Sequence, residues 1–292
     1  MKDEPGFETD FRQCKVAIWG LGLMGGSLGL ALSGKCASLI GIDPDPRVVE
    51  LAEVSQAFTQ VSNTPQEVIG QADLVILAAP VRAILQQIAA LPGLHRGPCT
   101  VLDLGSSKRE IMKAMANLPP QFDPIGGHPM CGNEHSSFRH AAASLYAGAP
   151  FALVCLPRSS SRAQTLAEAC VRSSGAQPLW MDGATHDRST AYTSHLPYLI
   201  ASALAASVPP AANPLAGPGL RSTTRLAGAS PAMMLDILMT NDDLLLEALQ
   251  TFRDHLSLLE SDLRQTNEAA LLEKLRQANA ARNTNFSGDG DA

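Results

Sequence analysis

"KVAIWGLGLMGGSLGLALSG" occupies residues 15–34. Residues 15–20 form a short apolar run that ends in glycine, the pattern of a buried strand. From Leu23 the apolar residues take helical spacing until Gly34, a glycine stop. Between the two lies Gly20-Leu21-Gly22-Leu23-Met24-Gly25, a GxGxxG pattern. Alone it is common, but here it follows a strand and opens a helix, and that context carries a mechanism. The glycines permit a tight turn and close approach of backbone to a pyrophosphate, and the helix N-terminus stabilises the phosphate charge. Gly20, Gly22, Leu23, Met24 and Gly25 are therefore expected to hold a dinucleotide.

Outward from this stretch the grammar repeats. "ASLIGID" (37–43) reads as a second strand ending at Asp43, placed where an acid holds the adenosine ribose hydroxyls. A carboxylate there repels a 2′-phosphate, which favours NAD; Arg47 keeps NADP possible by neutralising Asp43 or meeting that phosphate. "PRVVELAEV" is a helix and "ADLVILAAP" (72–80) a third strand. Ala79 and Pro80 at its end are expected to line the cofactor cleft, because parallel sheets bind ligands at the carboxyl ends of their strands. "RAILQQIAAL", "CTVLDLGSSK" (99–108) and "REIMKAMANL" continue as helix, strand and helix, and "FDPIGGH", "PFALVCL" and "AQPLWMD" extend the sheet. Strands alternating with helices in this rhythm predict an α/β Rossmann-type, doubly wound parallel sheet.

After Asp182 the chain turns rich in Ala, Leu and Met with helical periodicity, interrupted by the proline-rich loop "SVPPAANPLAGPGL" (207–220). The expected organisation is a loose N-terminal tail over 1–13, a dinucleotide-binding domain over 14–182, an all-α domain over 183–278 and a disordered tail over 279–292. The formal net charge is −6 and Lys and Arg form no runs, which argues against nucleic acid and anionic membrane as partners. The apolar stretches are too short to span a bilayer, and the polar first residues lack the apolar core of a secretion signal. A cytoplasmic protein is expected, with its six scattered cysteines reduced.

"GGHPMCGNEHSS" (126–137) gathers two histidines, a cysteine and a glutamate. It reads as a metal site, as a Cys/His nucleophile pair, or as a loop that sets one histidine against a substrate. Glu134 and His135 are expected to begin a helix, "EHSSFRHAAASLYAG", or to face solvent, and Cys131 to act as a small hydrophobe near the cleft.

In order and spacing, "GLGLMGGS", "DLGSSK", "GGHPMCGNEHS", "TSHLPYLIA" and "TTRLA" resemble the prephenate/arogenate (cyclohexadienyl) dehydrogenase family of tyrosine biosynthesis, over roughly residues 15–275. The resemblance implies a nucleotide-binding domain followed by a helical domain that forms a homodimer. It implies NAD(P)+-dependent oxidative decarboxylation of prephenate to 4-hydroxyphenylpyruvate, or of arogenate to tyrosine. By the same resemblance His128 accepts or hydrogen-bonds the proton of the ring hydroxyl, a task that suits imidazole. Ser106 bonds the same hydroxyl, Arg225 takes a substrate carboxylate in its planar fork, and His195 shapes the pocket. Arg221 is a second carboxylate candidate. Ser106 and Ser107 compete for the hydroxyl, each being equally a helix cap before "KREIMKAM". Asp187 is left to position either His186 or a neighbouring helix. This chemistry needs no metal and gives Cys131 no step, so the third reading of 126–137 is preferred. Two positions depart from the family pattern: Leu220-Arg221-Ser222 replaces F-[RK]-D, and Met234 stands near an expected tryptophan. They bear on substrate preference. The alternatives are a β-hydroxyacid dehydrogenase of the 3-hydroxyisobutyrate type, whose G-x-x-G-x-G-x-x-x-K segment is missing here, and a non-catalytic NAD-binding protein.

Overall fold

In the computed structural model, residues 11–132 and 137–285 are described. The strands are β1 (Lys15–Trp19), β2 (Ser38–Ile42), β3 (Gln60–Ser62), β4 (Leu74–Leu77), β5 (Cys99–Asp103), β6 (Phe122–Pro129), β7 (Pro150–Cys155) and β8 (Gln177–Trp180). They form one sheet in the order β3-β2-β1-β4-β5-β6-β7-β8. The first six give the doubly wound order 3-2-1-4-5-6, in which the chain reverses direction across the sheet between β1 and β4.

Side chains alternate across a strand, and both faces here are apolar. Val16 and Ile18 of β1, with Leu74 and Ile76 of β4, point into one buried layer, joined by Leu28 and Leu32 of α1 (Leu23–Leu32). Ala17, Val75 and Leu77 point into the other, where they meet Ile84, Ile88 and Leu91. Those three belong to Val81–Leu94 and recur at helical spacing, so the helix presents one stripe to the sheet. Burying each such side chain contributes roughly 1.5–3 kcal/mol.

The sheet departs from an all-parallel one at β7, which runs antiparallel to β6 while β8 runs parallel to β7. The connection explains this: no helix longer than the two 3-10 turns Phe138–His140 and Ala143–Tyr146 lies among the described residues between β6 and β7. A parallel crossover usually needs a full helix to carry the chain back. The helix expected over "EHSSFRHAAASLYAG" is replaced by these turns, and its start at Glu134 and His135 lies outside the described residues.

The chain divides into two compact units, Met1–Asp242 and Asp243–Ala292. The first unit thus takes in the sheet and the helices between Asp182 and Asp242. The helices Gly183–Thr190 and Leu196–Ser207 and the turn of π-helix between them stay with the sheet, tied to it by the buried polar bonds of His186 to His128 and of Asp187 to the loop after β5. At the N-terminus, residues 1–10 of the expected tail lie outside the described residues, whereas Phe11 is 2% exposed and belongs to the core. At the other end the helix Glu268–Asn285 enters the stretch expected to be disordered, because Ala, Leu, Lys, Arg and Gln propagate a helix well. No helix among the described residues is long and apolar enough to cross a membrane.

Candidate active site

The dinucleotide loop is built by backbone fit. Gly20 has φ +109°, and a Cβ there would lie 2.4 Å from the Ala78 carbonyl oxygen. A Cβ on Gly25 would lie 1.9 Å from the Gly20 carbonyl oxygen. The turn therefore closes only with glycine at both points. The N-cap of α1, Gly22, makes no side-chain cap bond, which leaves the first N–H groups of the helix to a ligand. Asp43 stands just past β2, and its Oδ2 accepts the Leu21 N–H at 2.8 Å while Oδ1 accepts the Asp45 N–H at 2.9 Å. One acid thus braces the glycine loop at the end of β2. Arg47 does not neutralise it: its guanidinium bonds both carboxylate oxygens of Asp45, at 3.1 and 2.8 Å. Glycine turn, open helix N-terminus and Asp43 together fit a dinucleotide with an unphosphorylated ribose.

A cavity of about 730 Å³ opens beside this loop. Its walls include Gly22, Leu23 and Met24, Ala79 and Pro80, Ser106, His128, and from the helical segments Arg225 and Met234. That volume lies within the usual range for a small-molecule site. Asp236 lines the helical wall and pairs with Arg82 at 3.2 Å. Arg82 sits in the first turn of Val81–Leu94, so the pair links that helix to Pro231–Met239.

His128 sits on the part of β6 that runs past the end of β5. The β5–β6 ladder stops at Leu102 opposite Ile125, and β6 continues against β7, with His128 opposite Ala152. A buried ion pair holds this extension. Lys108 and Asp103 bond to each other with both side chains fully buried. Lys108 Nζ also donates to the Gly127 carbonyl at 2.6 Å, and Asp103 accepts the N–H groups of Gly105 at 2.8 Å and Gly127 at 3.1 Å. Burial lowers the Lys108 pKa, an effect that the Asp103 carboxylate opposes. The peptide that precedes His128 is thereby held on both sides.

Behind His128 lies a chain of rings and a carboxylate. His128 Nδ1 is 2.9 Å from His186 Nε2, and His186 Nδ1 is 2.8 Å from Asp187 Oδ1. His186 and Asp187 are each 1% exposed. Asp187 also accepts the backbone N–H groups of Lys108 at 2.7 Å and Arg109 at 2.8 Å. It serves in both of the capacities left open from the sequence, as partner of His186 and as cap of the helix Arg109–Ala116. Burial pushes the Asp187 carboxyl up, but these hydrogen bonds outweigh it and hold the group below its ordinary value. His128 is held well below the ordinary histidine value by burial, and further by His186, Lys108 and His195. It is a neutral imidazole at pH 7, able to accept a proton.

Other expected site residues fall elsewhere. Ser107 is fully buried and its hydroxyl lies 2.7 Å from that of Thr240, so it joins two segments and does not line the cavity. Neither serine caps the helix that follows, since its N-cap position is Lys108 and Asp187 satisfies the N–H groups from outside. His195 ends the π-helical turn Ala191–His195 and is fully buried. Asn241 Nδ2 lies 3.2 Å from its Nδ1 and 2.8 Å from the Asp187 carbonyl, while His195 Nε2 finds no partner. Burial takes the His195 pKa down to about 4. Arg221 is exposed on Pro218–Thr224 and does not line the cavity, unlike Arg225. Cys131 lines it, with burial pushing its thiol up to about 11. Among the described residues no three His, Cys, Asp or Glu side chains are grouped to hold a metal ion. The sequence offers His186 only as a partner for Asp187 and gives no signal for Asn241, which reaches His195 and the Asp187 carbonyl.

The family model described as "Prephenate dehydrogenase, nucleotide-binding domain" matches residues 28–177, and "Prephenate dehydrogenase, dimerization domain" matches residues 182–277. The prephenate dehydrogenase of Lactococcus lactis subsp. cremoris is 31% identical over 255 residues, which cover 83% of this chain and 69% of that one. The cyclohexadienyl dehydrogenase of Zymomonas mobilis is 29% identical, over 91% of this chain and 94% of that one. Among solved structures, the Aquifex aeolicus prephenate dehydrogenase in complex with hydroxyphenyl propionate and NAD+ superposes with a TM-score of 0.85 at 27% identity, over 92% of this chain and 97% of that one.

Proposed function

Because the chain belongs to the prephenate dehydrogenase family, we propose that it carries out the NAD+-dependent oxidative decarboxylation of prephenate to 4-hydroxyphenylpyruvate, of arogenate to tyrosine, or of both. The observation that carries this reading is the shared cavity. The glycine loop, Ser106, His128 and Arg225 all line one space. The β-hydroxyacid alternative gives way to the family match.

The cofactor supplies the acceptor for the hydride that leaves the hydroxyl-bearing ring carbon. His128 takes the proton of that hydroxyl as the carbon gains carbonyl character, and Ser106 orients the same oxygen by a hydrogen bond. The bond to the ring carboxylate breaks, carbon dioxide leaves, and the electron pair enters the ring. The proton returns to oxygen as the ring becomes a phenol, and the gain of aromaticity drives the step. Arg225 binds a substrate carboxylate, a contact that a guanidinium makes in bidentate form. His195, buried at the end of the π-helical turn whose Thr193 and Ser194 line the cavity, supports that wall of the pocket. Gly20, Gly22, Leu23, Met24, Gly25, Asp43, Ala79 and Pro80 hold the dinucleotide, with Asp43 on the ribose hydroxyls. Arg47, turned onto Asp45, supports NAD+ over NADP+.

A homodimer through the helical segments is part of the proposal. It is supported by the dimerization-domain match and by apolar side chains exposed on the second unit, Leu246, Leu263 and Leu275 among them. Light scattering on the purified chain tests it, a monomer at micromolar concentration being the contrary result. The reaction is tested by NADH formation with prephenate and arogenate, each with NAD+ and NADP+. Turnover of either substrate with NAD+ is expected; none in any of the four combinations overturns the reading.

A further inference from the structure

The pair His186–Asp187 has no task in the proposed reaction, yet it is buried directly behind the reacting histidine. Asp187 is ionised, its carboxylate accepting two backbone N–H groups and lying 2.8 Å from His186 Nδ1. An ionised carboxylate only accepts, so the His186 Nδ1 must carry a proton. A neutral His186 then offers a bare Nε2, and the 2.9 Å contact requires the proton between the rings to sit on His128 Nδ1. The opposite arrangement needs His186 doubly protonated. That state adds a buried charge with Asp187 as its counter-ion, Asp103 being committed to Lys108, whereas the arrangement with the proton on His128 Nδ1 needs no extra proton.

We propose that His186 and Asp187 act as a positioning relay that fixes His128 with Nδ1 protonated and Nε2 bare, and that steadies the imidazolium formed when Nε2 takes the hydroxyl proton. The inference rests on His128 being the proton acceptor. The proton moves from the ring hydroxyl oxygen to Nε2, the Nδ1 proton stays shared with His186 Nε2, and the new positive charge faces the Asp187 carboxylate through one ring. The logic is that of any histidine base oriented by a second group through its other nitrogen. Loss of the acceptor at Nδ1 makes the imidazolium harder to form, so the base titrates at lower pH and accepts the proton less readily.

Two measurements test it. The first is the 15N chemical shifts of His128 in 15N-histidine-labelled protein, with and without NAD+, a readout that needs no turnover. A protonated Nδ1 and a bare Nε2 are expected; a bare Nδ1 overturns the proposal even if the enzyme reacts as proposed. The second is the pH–rate profile of His186→Leu and His186→Gln. His186→Leu is expected to lower kcat tenfold or more and to move the acidic limb of kcat/KM to lower pH, with NAD+ affinity unchanged. His186→Gln, whose Oε1 can accept from Nδ1, is expected to return the limb toward its original position. An unmoved limb in His186→Leu contradicts the relay, and if that variant fails to fold the labelled wild type decides alone. A wild type inactive on both substrates would count against the reaction, while the protonation of His128 Nδ1 would still decide the positioning role by itself.

Discussion

The carboxylate of Asp187 accepts the backbone N–H of Lys108 at 2.7 Å across 79 residues of sequence. This bond and its neighbour to Arg109 join the first helix after the sheet to the loop that carries Ser106, and bring His186 behind His128. Asp187→Asn keeps the shape and removes the charge. It is expected to destabilise the protein by about 1–3 kcal/mol at pH 7, as a lost cap and a weakened charged hydrogen bond together cost. The folded pKa lies below the ordinary 3.8. The stabilisation is therefore complete above that value and is lost as the pH falls through the lower folded value. Urea melts of the two proteins should show a gap that is constant from neutral pH down to about pH 5 and closes below 3.8.

Lys108→Met leaves Asp103 buried with only backbone donors. Breaking a fully buried pair from one side costs roughly 3–5 kcal/mol, whereas removing both charges is far milder. Asp103→Asn/Lys108→Met should recover most of the loss of Lys108→Met, measured by chemical denaturation. Equal stability of single and double variants would mean that Lys108 acts through packing alone.

His195 adds a second pH effect, of the opposite chemical type. Its neutral form is favoured in the folded chain, with a pKa of about 4 against an ordinary 6.5. Its contribution is present above 6.5 and lost as the pH falls toward 4, on the order of 3 kcal/mol over that window. His195→Gln should flatten the stability profile between those limits. His128, also held neutral by burial, contributes a slope of the same sign.

Asp43→Asn should raise the KM for NAD+ and narrow the preference over NADP+, since the charge that repels a 2′-phosphate is lost while an oxygen remains for the Leu21 N–H. Arg225→Ala should raise substrate KM tenfold or more with kcat less affected, as expected for a lost charge-assisted contact. An unchanged KM would move that contact to another cation.

The fold was legible because each strand of the first half is a short apolar run with its own stop. GxGxxG and Asp43 placed the loop and the acid without reference to the rest of the chain. The cavity also gathers residues named from the sequence at long range, His128 with Ser106 and Arg225 among them. What stayed hidden was set by contacts between distant segments. Ser107 looks like Ser106 until Thr240, 133 residues on, takes its hydroxyl. Asp187 reads as a helix residue until Lys108 and Arg109 arrive. The reversal of β7 goes with a connection from β6 whose described residues form only short 3-10 turns, and the π-helical turn at Ala191–His195 leaves no trace in apolar spacing. The tail beyond residue 279 was read by its polar composition, which helix propensity outweighed as far as Asn285.

Everything proposed for the chemistry turns on His128 accepting the hydroxyl proton, and His128→Asn isolates that role. Steady-state NADH formation by this variant, beside its NAD+ affinity measured by calorimetry, separates chemistry from binding. A kcat lower by on the order of a hundredfold or more, with NAD+ affinity retained, is the expected result for a lost acid–base group. Near-normal turnover by His128→Asn would rule His128 out as the proton acceptor.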